Sequence, residues 1–354
     1  MKIKINKSNI GLNSKTYFIA DIGANHDGKL SRAKKLIKLA AQAGANAAKF
    51  QHFKAETIVN KKQFEKQKKT AHQSKWKSGV YEVYKKASIN NNWNKFLKKE
   101  CKKNNIDFLT SPYDLNYVDD VNHFIPAFKV GSGDITWREN LIKIAKKKKP
   151  VILATGASNL DDVVYACKLI LKYNKKLILM QCNTNYTAQE RNFKYINLNV
   201  LKLFKKKFNK KIILGLSDHT PGHTTVLGAV TLGARAIEKH FTDNNNRNGP
   251  DHKFAMNPTS WKLMVEETRR LECALGDGIK KVEHNEKESY FVQRRGVYLL
   301  KSLKKGHKIK NSDLICLRPY VKNSIHPNEI ENILGKKLKK NLYKNSVMRR
   351  KWII

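Results

Sequence analysis

Short apolar runs alternate with longer stretches of helical periodicity through the first three quarters of the chain. A run of about four to eight apolar residues is typical of a buried strand, and apolar residues spaced by about 3.6 are typical of a helix packed on one face. The pattern predicts eight strands, at Tyr17 to Ile22, Ala45 to Gln51, Ile106 to Ser111, Ala127 to Ser132, Val151 to Thr155, Leu177 to Cys182, Ile212 to Ser217 and Arg235 to His240.

Helical stretches separate most of these strands and follow the last one. They lie at Ser31 to Ala43, Trp93 to Asn104, Leu141 to Lys147, Asn159 to Tyr173, Asn197 to Phe208, His223 to Leu232 and Ser260 to Leu275. Strands alternating with helices indicate an α/β fold, and eight such repeats predict a (β/α)8 TIM barrel. An open doubly wound sheet is the alternative, although no G-x-G-x-x-G follows the first predicted strand.

The segment from His52 to Asn90 is long and basic for a connection between a strand and its helix. Connections of this length usually carry secondary structure or a function of their own. We therefore predict a partly helical lid, with a solvated surface excursion as the alternative.

A polar stretch from Gly276 to Glu288 separates the barrel pattern from a compact tail that begins at Arg294. The tail contains GVYLL, SLKKGHKIKNSDLICLRP and IENILGKKL, which indicate short β pieces joined by turns. We predict a barrel domain over residues 1–280, a linker over 281–292 and a small β-rich domain over 293–354. A domain of about 60 residues is marginal alone, so we expect it to dock on another surface.

Polar side chains stand at the carboxyl end of nearly every predicted strand. In a (β/α)8 barrel these ends meet at one face, where catalytic residues collect. The sequence therefore predicts a site there, built from Asp21, Asn25, His26, Lys49, Gln51, Thr110, Ser111, Lys129, Ser132, Thr155, residues 183 to 186, Asp218, His219, Glu238 and His240.

Two histidines, His219 and His240, end neighbouring predicted strands, and each follows an acidic residue at close range. Neutral imidazoles with nearby carboxylates suit Mn²⁺, Fe²⁺, Co²⁺ or Zn²⁺, and two protein ligands leave positions for water or substrate. For either histidine alone, a helix cap or a hydrogen-bonded core residue is the alternative.

Two lysines, Lys49 and Lys129, lie inside apolar runs. Burying an ammonium group without an anion is costly, so each is expected to face a carboxylate or a bound anion, and a purely structural ion pair is the alternative. Ser132 lies between two glycines and Thr155 precedes another, where hydroxyl and backbone N–H donors are accessible. These groups together predict a phosphate or carboxylate pocket.

The composition is strongly basic, with 71 lysines and arginines against 29 acidic residues and a formal net charge of +42. Such a charge raises nucleic-acid or other polyanion binding as an alternative function. The lysines occur in short groups along the whole chain, which favours a composition bias over a dedicated polyanion surface. We therefore predict no nucleic-acid partner.

The cysteines and the apolar runs bear on the cellular compartment. Five cysteines without C-x-x-C spacing indicate neither a disulfide framework nor a thiolate zinc site. No apolar run approaches the ~20 residues of a membrane span, and the first residues lack the apolar stretch of a secretory signal. We predict a cytoplasmic protein with no membrane partner.

Several motifs carry a family resemblance in one order along the chain. They are FIADIGANHDGKLSRAKKLIKLAAQAGANAAKFQ, FLTSPYD, FKVGSGDIT, ILATGAS, LSDHT, EKHFTDNNNRNGPDHKF and RRGVYLLKSLKKGHKIKNSDLICLRP. From Tyr17 to the C-terminus the chain resembles the sialic acid (N-acetylneuraminate) synthase family. The resemblance implies a (β/α)8 barrel followed by an antifreeze-like SAF domain. It also implies a swapped homodimer, in which the SAF domain of one subunit caps the barrel of the other.

The resemblance implies a transferase that condenses phosphoenolpyruvate with an N-acylated mannosamine-type sugar, giving a nine-carbon acid and phosphate. His219 and His240 are expected to hold a divalent metal, Mn²⁺ in the first place and Mg²⁺ or Co²⁺ as alternatives, which stabilises the aldehyde oxygen. Glu238 is expected to act through water bound to that metal. Asp21 matches the acidic position that steers or deprotonates the attacking water.

The remaining site residues follow from the same resemblance, position by position. The acceptor sugar and its hydroxyls are expected near Gln51, Tyr186 and Asp251. Arg318, in the small domain, matches an arginine that reaches the N-acyl group in the partner's site. The phosphoenolpyruvate pocket is expected to consist of Lys49, Ser111, Lys129, Ser132, Thr155 and Thr184.

Three departures from the family pattern concern the same site. Asp21 stands where relatives commonly have glutamate, Tyr186 is not followed by proline, and the loop after Arg318 lacks the family's glycines. The acceptor therefore stays open between N-acetylmannosamine and the diacetamido-trideoxy sugars that lead to legionaminic or pseudaminic acid. Two competing hypotheses are a phosphoenolpyruvate-condensing barrel acting on a phosphorylated aldose, and an inactive barrel.

Overall fold

The computed structural model of the chain describes residues 1–67, 73, 76 and 78–354. The chain divides into two compact units, residues 1–276 and residues 277–354. Among the described helices, none is both long and apolar enough to cross a lipid bilayer.

The first unit is built around eight parallel strands that close into a barrel. The predicted α/β class and (β/α)8 barrel are therefore confirmed. The strands of this unit are β1 (Lys2–Ile5), β2 (Ser8–Gly11), β3 (Tyr17–Asp21), β4 (Ala47–His52), β5 (Asp107–Pro112), β6 (Phe128–Val130), β7 (Val151–Ala154), β8 (Leu177–Cys182), β9 (Ile213–Asp218) and β10 (Ala236–His240). Around the barrel their order is β10-β3-β4-β5-β6-β7-β8-β9, so the last strand pairs with the first.

Helices surround the barrel and bury their apolar faces against it. In the first of them, Ala33, Leu36, Ile37 and Ala40 are buried, which is the spacing of one helix face. The helices are α1 (Leu30–Gln42), α2 (Ala55–Ile58), α3 (Lys61–Lys66), α4 (Val80–Ala87), α5 (Asn94–Lys103), α6 (Leu115–Asn122), α7 (Arg138–Lys146), α8 (Leu160–Tyr173), α9 (Val200–Phe208), α10 (Thr224–Thr231) and α11 (Pro258–Ala274).

Two elements of this unit are absent from the sequence-based prediction. Helix α6 is only eight residues long, and its buried stripe of Tyr117, Val118 and Val121 is too short to show a clear period. The second element is the antiparallel hairpin β1–β2, whose Ile3, Ile5 and Ile10 are buried with inward-facing barrel residues. The hairpin therefore closes the end of the barrel where the strands begin.

The segment from His52 to Asn90 contains α2, α3 and α4, so it is partly helical as predicted. Residues 68–72, 74, 75 and 77 of this segment lie outside the described residues. Its role as a lid stays a prediction.

The second unit contains α12 (Lys287–Gln293), β11 (Gly296–Leu299) and β12 (Leu314–Leu317), with an antiparallel pairing of the two strands. Ten buried apolar residues, among them Val297, Leu299 and Ile325, form its own core. Beside that core, Tyr320 stacks on His326 with ring centroids 4.1 Å apart and on Phe291 at 6.0 Å. Aromatic rings therefore hold the glycine-free loop against α12.

Candidate active site

Four charged side chains contact one another inside the barrel, near the carboxyl ends of its strands. Strand register places Asp21 on β3 beside Lys49 on β4, and Lys49 Nζ lies 2.7 Å from Asp21 Oδ2. The same ammonium group is 3.3 Å from Glu238 Oε1, and Lys129 Nζ is 3.1 Å from that oxygen. The four side chains are 2–5% exposed, so they form a buried chain of alternating charge.

Each carboxylate of this chain has a further polar neighbour. Gln51 Nε2 donates to Asp21 Oδ2 at 3.3 Å, and the backbone N–H of Gly23 donates to Asp21 Oδ1 at 3.0 Å. Ser217 Oγ donates to Glu238 Oε1 at 3.2 Å. The second oxygen of Glu238 is buried and has no hydrogen-bond partner within the described part of the chain.

The pKa shifts follow from burial and from this pairing. Burial alone would raise the pKa of Asp21, but Lys49 and His240 lower it below its ordinary value. Burial would also raise the pKa of Glu238, and Lys129 and Lys49 lower it. Burial would lower the pKa of Lys49, yet Asp21 and Glu238 raise it. For Lys129, burial prevails and lowers the pKa, so Lys129 is the less firmly protonated of the two lysines.

His219 and His240 lie together beside the charged chain, with ring centroids 5.5 Å apart. His219 Nδ1 is 2.8 Å from the carbonyl oxygen of Asn183, to which it donates, and the ring also interacts with the thiol of Cys182. His240 Nε2 is 3.4 Å from Asp21 Oδ2. Phe254 packs edge-on against His240 at a centroid distance of 4.8 Å and shields it from water.

Imidazole nitrogens are suitable ligands for a divalent metal, and the neutral state that this requires is supported for His240. Burial lowers the pKa of His240, which keeps its imidazole neutral, as a metal ligand must be. Its Nδ1 has no hydrogen-bond partner among the described residues. Within that same part of the chain, no group of three or more His, Cys, Asp or Glu side chains forms a metal centre, so the protein would supply only a partial shell.

A second buried ion pair lies directly behind the histidines. Asp218 precedes His219 and Lys239 precedes His240, and strand register places the two residues side by side on β9 and β10. Lys239 Nζ contacts Asp218 Oδ2, and both side chains are 1% exposed. Because alternate residues of a strand point to opposite faces, this pair faces the helices while the histidines face the site.

Hydroxyl and backbone groups line the site next to Lys129. The backbone N–H of Gly156 donates to Ser132 Oγ at 2.9 Å, and Thr155 Oγ1 donates to the carbonyl oxygen of Met180 at 2.9 Å. A Cβ on Gly156 would lie 2.5 Å from Thr184, so only glycine permits this close approach. Ser111 Oγ is buried and has no hydrogen-bond partner in the described part of the chain.

A cavity of about 1410 Å³ opens next to the histidines, lined in part by Tyr186, Phe254 and Asn245. Tyr186 lies against His219, with ring centroids 4.4 Å apart. Asp251 Oδ2 accepts from the backbone N–H of Ala24 at 2.9 Å and lies 3.7 Å from His240 Nδ1. The volume is large enough for a sugar with several substituents.

Most of the predicted barrel residues lie around this mouth, but Asp218 and Thr110 do not. Asp218 pairs with Lys239 on the helix side of the barrel wall, and Thr110 Oγ1 is 2.7 Å from His52 Nδ1 on that same side, because alternate residues of a strand point to opposite faces. Arg318 is exposed and lies in the second unit.

Sequence reasoning missed Phe254, and it missed Cys182, whose thiol interacts with His219. Burial lowers the pKa of His219, but this thiol raises it above its ordinary value. Tyr113 was also missed. It belongs to the FLTSPYD motif, one residue past the end of β5, and its side chain lies next to Gly131.

Two family profiles match this chain. The profile of the NeuB family matches residues 36–280, and the profile of the SAF domain matches residues 294–350. The chain belongs to the NeuB family. This NeuB-family chain is therefore an enzyme, a transferase of the NeuB type, with a SAF domain after its barrel.

Individual relatives cover nearly all of this NeuB-family chain. It is 37% identical to an N,N'-diacetyllegionaminic acid synthase of Campylobacter jejuni subsp. jejuni, over 95% of this chain and 99% of the relative. It is 36% identical to the protein of the same name from Legionella pneumophila, over 92% and 91%. A crystal structure of an N-acetylneuraminic acid (sialic acid) synthetase from Leptospira borgpetersenii superposes with a TM-score of 0.70 at 28% identity, covering 82% of this chain and 95% of that one.

Proposed function

We propose that this protein condenses phosphoenolpyruvate with an N-acylated amino sugar to form a nine-carbon 2-keto-3-deoxy acid and inorganic phosphate. The observation that carries the proposal is the buried chain of Asp21, Lys49, Glu238 and Lys129 beside two histidines. Such a site joins fixed positive charge for an anionic enol ester with carboxylates for proton transfer. The relatives named as nonulosonic acid synthases support the same reaction.

Phosphoenolpyruvate is proposed to lie between Lys129 and the hydroxyl pocket. The pocket offers Ser111, whose buried hydroxyl has no partner among the residues that the structure describes, together with Ser132 and Thr155. Ammonium, hydroxyl and backbone N–H donors are the groups that hold phosphate and carboxylate oxygens. Thr184, which lies against Gly156, is proposed to contribute to the same pocket.

The acceptor sugar is proposed to enter the cavity beside Tyr186, with its aldehyde next to the histidines. A divalent ion held by His219 and His240, Mn²⁺ in the first place and Mg²⁺ or Co²⁺ as alternatives, would supply Lewis-acid stabilisation of the aldehyde oxygen. Gln51 donates to Asp21, and Asp251 lies 3.7 Å from His240 Nδ1, so both are proposed to bind the sugar hydroxyls.

In the reaction, the electron pair of the enol double bond forms a carbon–carbon bond to the aldehyde carbon, while the carbon–oxygen π bond of the aldehyde breaks and its oxygen takes up a proton to become a hydroxyl. Water then adds to the cationic carbon that bears the phosphate ester. Asp21 is proposed to take a proton from that water, and phosphate then leaves with cleavage of the carbon–oxygen bond. Lys49, 2.7 Å from Asp21, holds this carboxylate in place. The side chain of Asp21 is one methylene shorter than that of glutamate, and the close contact with Lys49 fixes the position of its carboxylate.

For the acceptor we propose a diacetamido-trideoxy sugar of the legionaminic type before N-acetylmannosamine. Two relatives named as N,N'-diacetyllegionaminic acid synthases share 37% and 36% of their residues with this chain, against 33% for a pseudaminic acid synthase and 28% for an N-acetylneuraminate-9-phosphate synthase. We also propose a swapped homodimer, in which Arg318 of one subunit reaches the N-acyl group bound in the other.

The test is phosphate release from phosphoenolpyruvate with Mn²⁺ and a panel of acceptors, with mass spectrometry of the product. The panel contains the diacetamido-trideoxy sugars, N-acetylmannosamine, its 6-phosphate and a phosphorylated aldose without an N-acyl group. Phosphate release with an N-acyl sugar, together with a product that is heavier than that sugar by the pyruvate unit, supports the proposal. Release only with the phosphorylated aldose would assign the protein to a different condensing enzyme.

A further inference from the structure

The loop between β10 and α11 carries a buried histidine, His252, to which the proposed reaction assigns no role. Its side chain is fully buried, and each ring nitrogen has a polar partner. Nδ1 is 2.7 Å from Thr242 Oγ1, at the start of the same loop, and Nε2 is 3.0 Å from Asp27 Oδ1, in the turn between β3 and α1. His252 therefore connects two loops whose contacting residues are 225 positions apart in the chain.

The order of these groups is carboxylate, imidazole and hydroxyl, as in the triad of a serine hydrolase. An ionised carboxylate only accepts, so Nε2 donates to Asp27. When the ring is neutral, the hydroxyl of Thr242 donates to Nδ1, and it accepts from the backbone N–H of Asn244 at 3.3 Å. Thr242 is fully buried, so its hydroxyl cannot reach a substrate. The contacts of His252 therefore join the two loops and do not activate a nucleophile.

A second link joins the same two loops through an arginine. Arg32 Nε is 3.0 Å from Asp27 Oδ2, and its second guanidinium nitrogen is 2.6 Å from Asp243 Oδ1. This link ends at residue 243, directly after Thr242. Only the link through His252 reaches the far side of the loop, where the residues of the candidate site lie.

On one side of His252 lies Asp251, which is proposed to bind the sugar hydroxyls. Asp251 Oδ2 accepts from the backbone N–H of Ala24 at 2.9 Å and is 3.7 Å from His240 Nδ1. A Cβ on Gly23 would lie 2.6 Å from the same oxygen, so the carboxylate fits closely against the turn after β3. A small displacement of residue 251 would break this fit.

On the other side of His252 lies Phe254, which packs against His240 at a centroid distance of 4.8 Å. The side chain of Asn245 fixes the backbone around it. Asn245 Nδ2 donates to the carbonyl oxygen of His252 at 3.0 Å and to that of Ala255 at 2.7 Å. The position of His252 therefore sets the position of the residues on both sides of it.

We propose that His252 is a positioning residue, which fixes this loop so that Asp251 faces the acceptor sugar and Phe254 covers His240. The inference deepens the proposed function and rests on it for the role of Asp251. A misplacement of about 1 Å in a binding group can cost on the order of a hundredfold in rate. Because Asp251 lies on the side of the proposed acceptor cavity, loss of the link is expected to affect the acceptor more than phosphoenolpyruvate.

The test compares His252→Ala with His52→Ala, in the full chain. His52 is a matched control, because it is also fully buried and has a partner at 2.7 Å on each ring nitrogen, namely Thr110 and Asn94. These partners lie on the helix side of the barrel wall. A third variant, His252→Gln, keeps an amide nitrogen that can donate to Asp27.

The first measurement is hydrogen exchange at the Ala24 amide, followed by mass spectrometry without any ligand. Exchange is expected to accelerate at least about fivefold in His252→Ala, because Asp251 no longer holds this amide. In His52→Ala it is expected to stay as in the wild-type protein. Unchanged exchange in His252→Ala would overturn the proposal, and this result does not depend on the reaction that the protein catalyses.

The second measurement is the KM of each substrate in the phosphate-release assay. His252→Ala is expected to raise the KM of the acceptor about tenfold and to change that of phosphoenolpyruvate by less than about twofold, and His252→Gln is expected to recover most of the loss. Equal rises in both KM values, or the same rise in His52→Ala, would overturn the proposal. If the wild-type protein uses no N-acyl sugar, the proposed function fails, and the exchange measurement alone decides on His252.

Discussion

The buried pair of Asp218 and Lys239 is expected to hold both histidines in position, and the substitution Lys239→Met tests this. Both side chains are 1% exposed, and the carboxylate of Asp218 would lose the ammonium group that it contacts. It would keep the hydroxyl donors of Thr220 and Thr225, each at 2.8 Å. Burial alone would raise the pKa of Asp218, and Lys239 lowers it. The substitution therefore leaves a buried charge without its main partner.

The size of the effect follows from that imbalance. Removing one partner of a buried pair costs about 3–5 kcal/mol, and the two remaining hydroxyl donors place the expected loss near the lower end, about 3 kcal/mol. The double variant Asp218→Asn with Lys239→Met removes both charges, so it is expected to recover about half or more of this loss. The free energy of unfolding is measured by urea denaturation.

A second measurement separates positioning from stability alone. Mn²⁺ binding to the folded protein, followed by calorimetry, is expected to weaken about tenfold in Lys239→Met, since residues behind metal ligands affect affinity on this scale. The matched control is Lys281→Met, which breaks an exposed pair with Asp277 and is expected to change neither quantity. If Lys239→Met behaves like Lys281→Met in both measurements, the reasoning is wrong.

Three further predictions concern single residues. His240→Ala is expected to abolish phosphate release and to remove Mn²⁺ binding, because half of the two-histidine donor set is lost. Arg318→Ala is expected to raise the KM of the acceptor more than that of phosphoenolpyruvate. A mixture of Arg318→Ala and His240→Ala subunits is expected to show up to about a quarter of wild-type activity, if subunits exchange and each site combines two chains. Lowering the pH from about 6.5 to about 4 is expected to reduce the unfolding free energy by about 3 kcal/mol for each of His26 and His52.

The sign of the pH effect follows from burial, which lowers the pKa of His26 and of His52 from 6.5 to about 4 in the folded protein. Between these values the unfolded chain binds protons that the folded chain does not, so stability is present above pH 6.5 and is lost as the pH falls. The variant His52→Gln should flatten the dependence, and exposed His123→Gln should not. If the pH dependence of the unfolding free energy is unchanged in His52→Gln, the prediction is wrong. In the subunit-mixing experiment, a lack of activity would contradict the swapped dimer.

Local patterns in the sequence were sufficient for most elements of the barrel. The bounds predicted for β8 are the observed ones, because six consecutive apolar and β-compatible residues lie between two polar turns. Strand β6 is shorter than predicted and ends at Val130, since a short 3-10 turn at Ser132–Asp134 follows Gly131. Helix α6 and the hairpin β1–β2 escaped prediction because each depends on packing against the barrel more than on a long periodic signal.

Strand and helix periods, polar strand ends and motif order are properties of neighbouring residues, so the fold class and the family could be predicted before any coordinates. Which charges meet could not be predicted in this way. Glu238 is two residues before His240 in the sequence, yet it bridges Lys49 and Lys129, which come from strands far away in the chain. The physical reason is barrel closure, since the stagger of eight strands sets which inward-facing side chains share one layer.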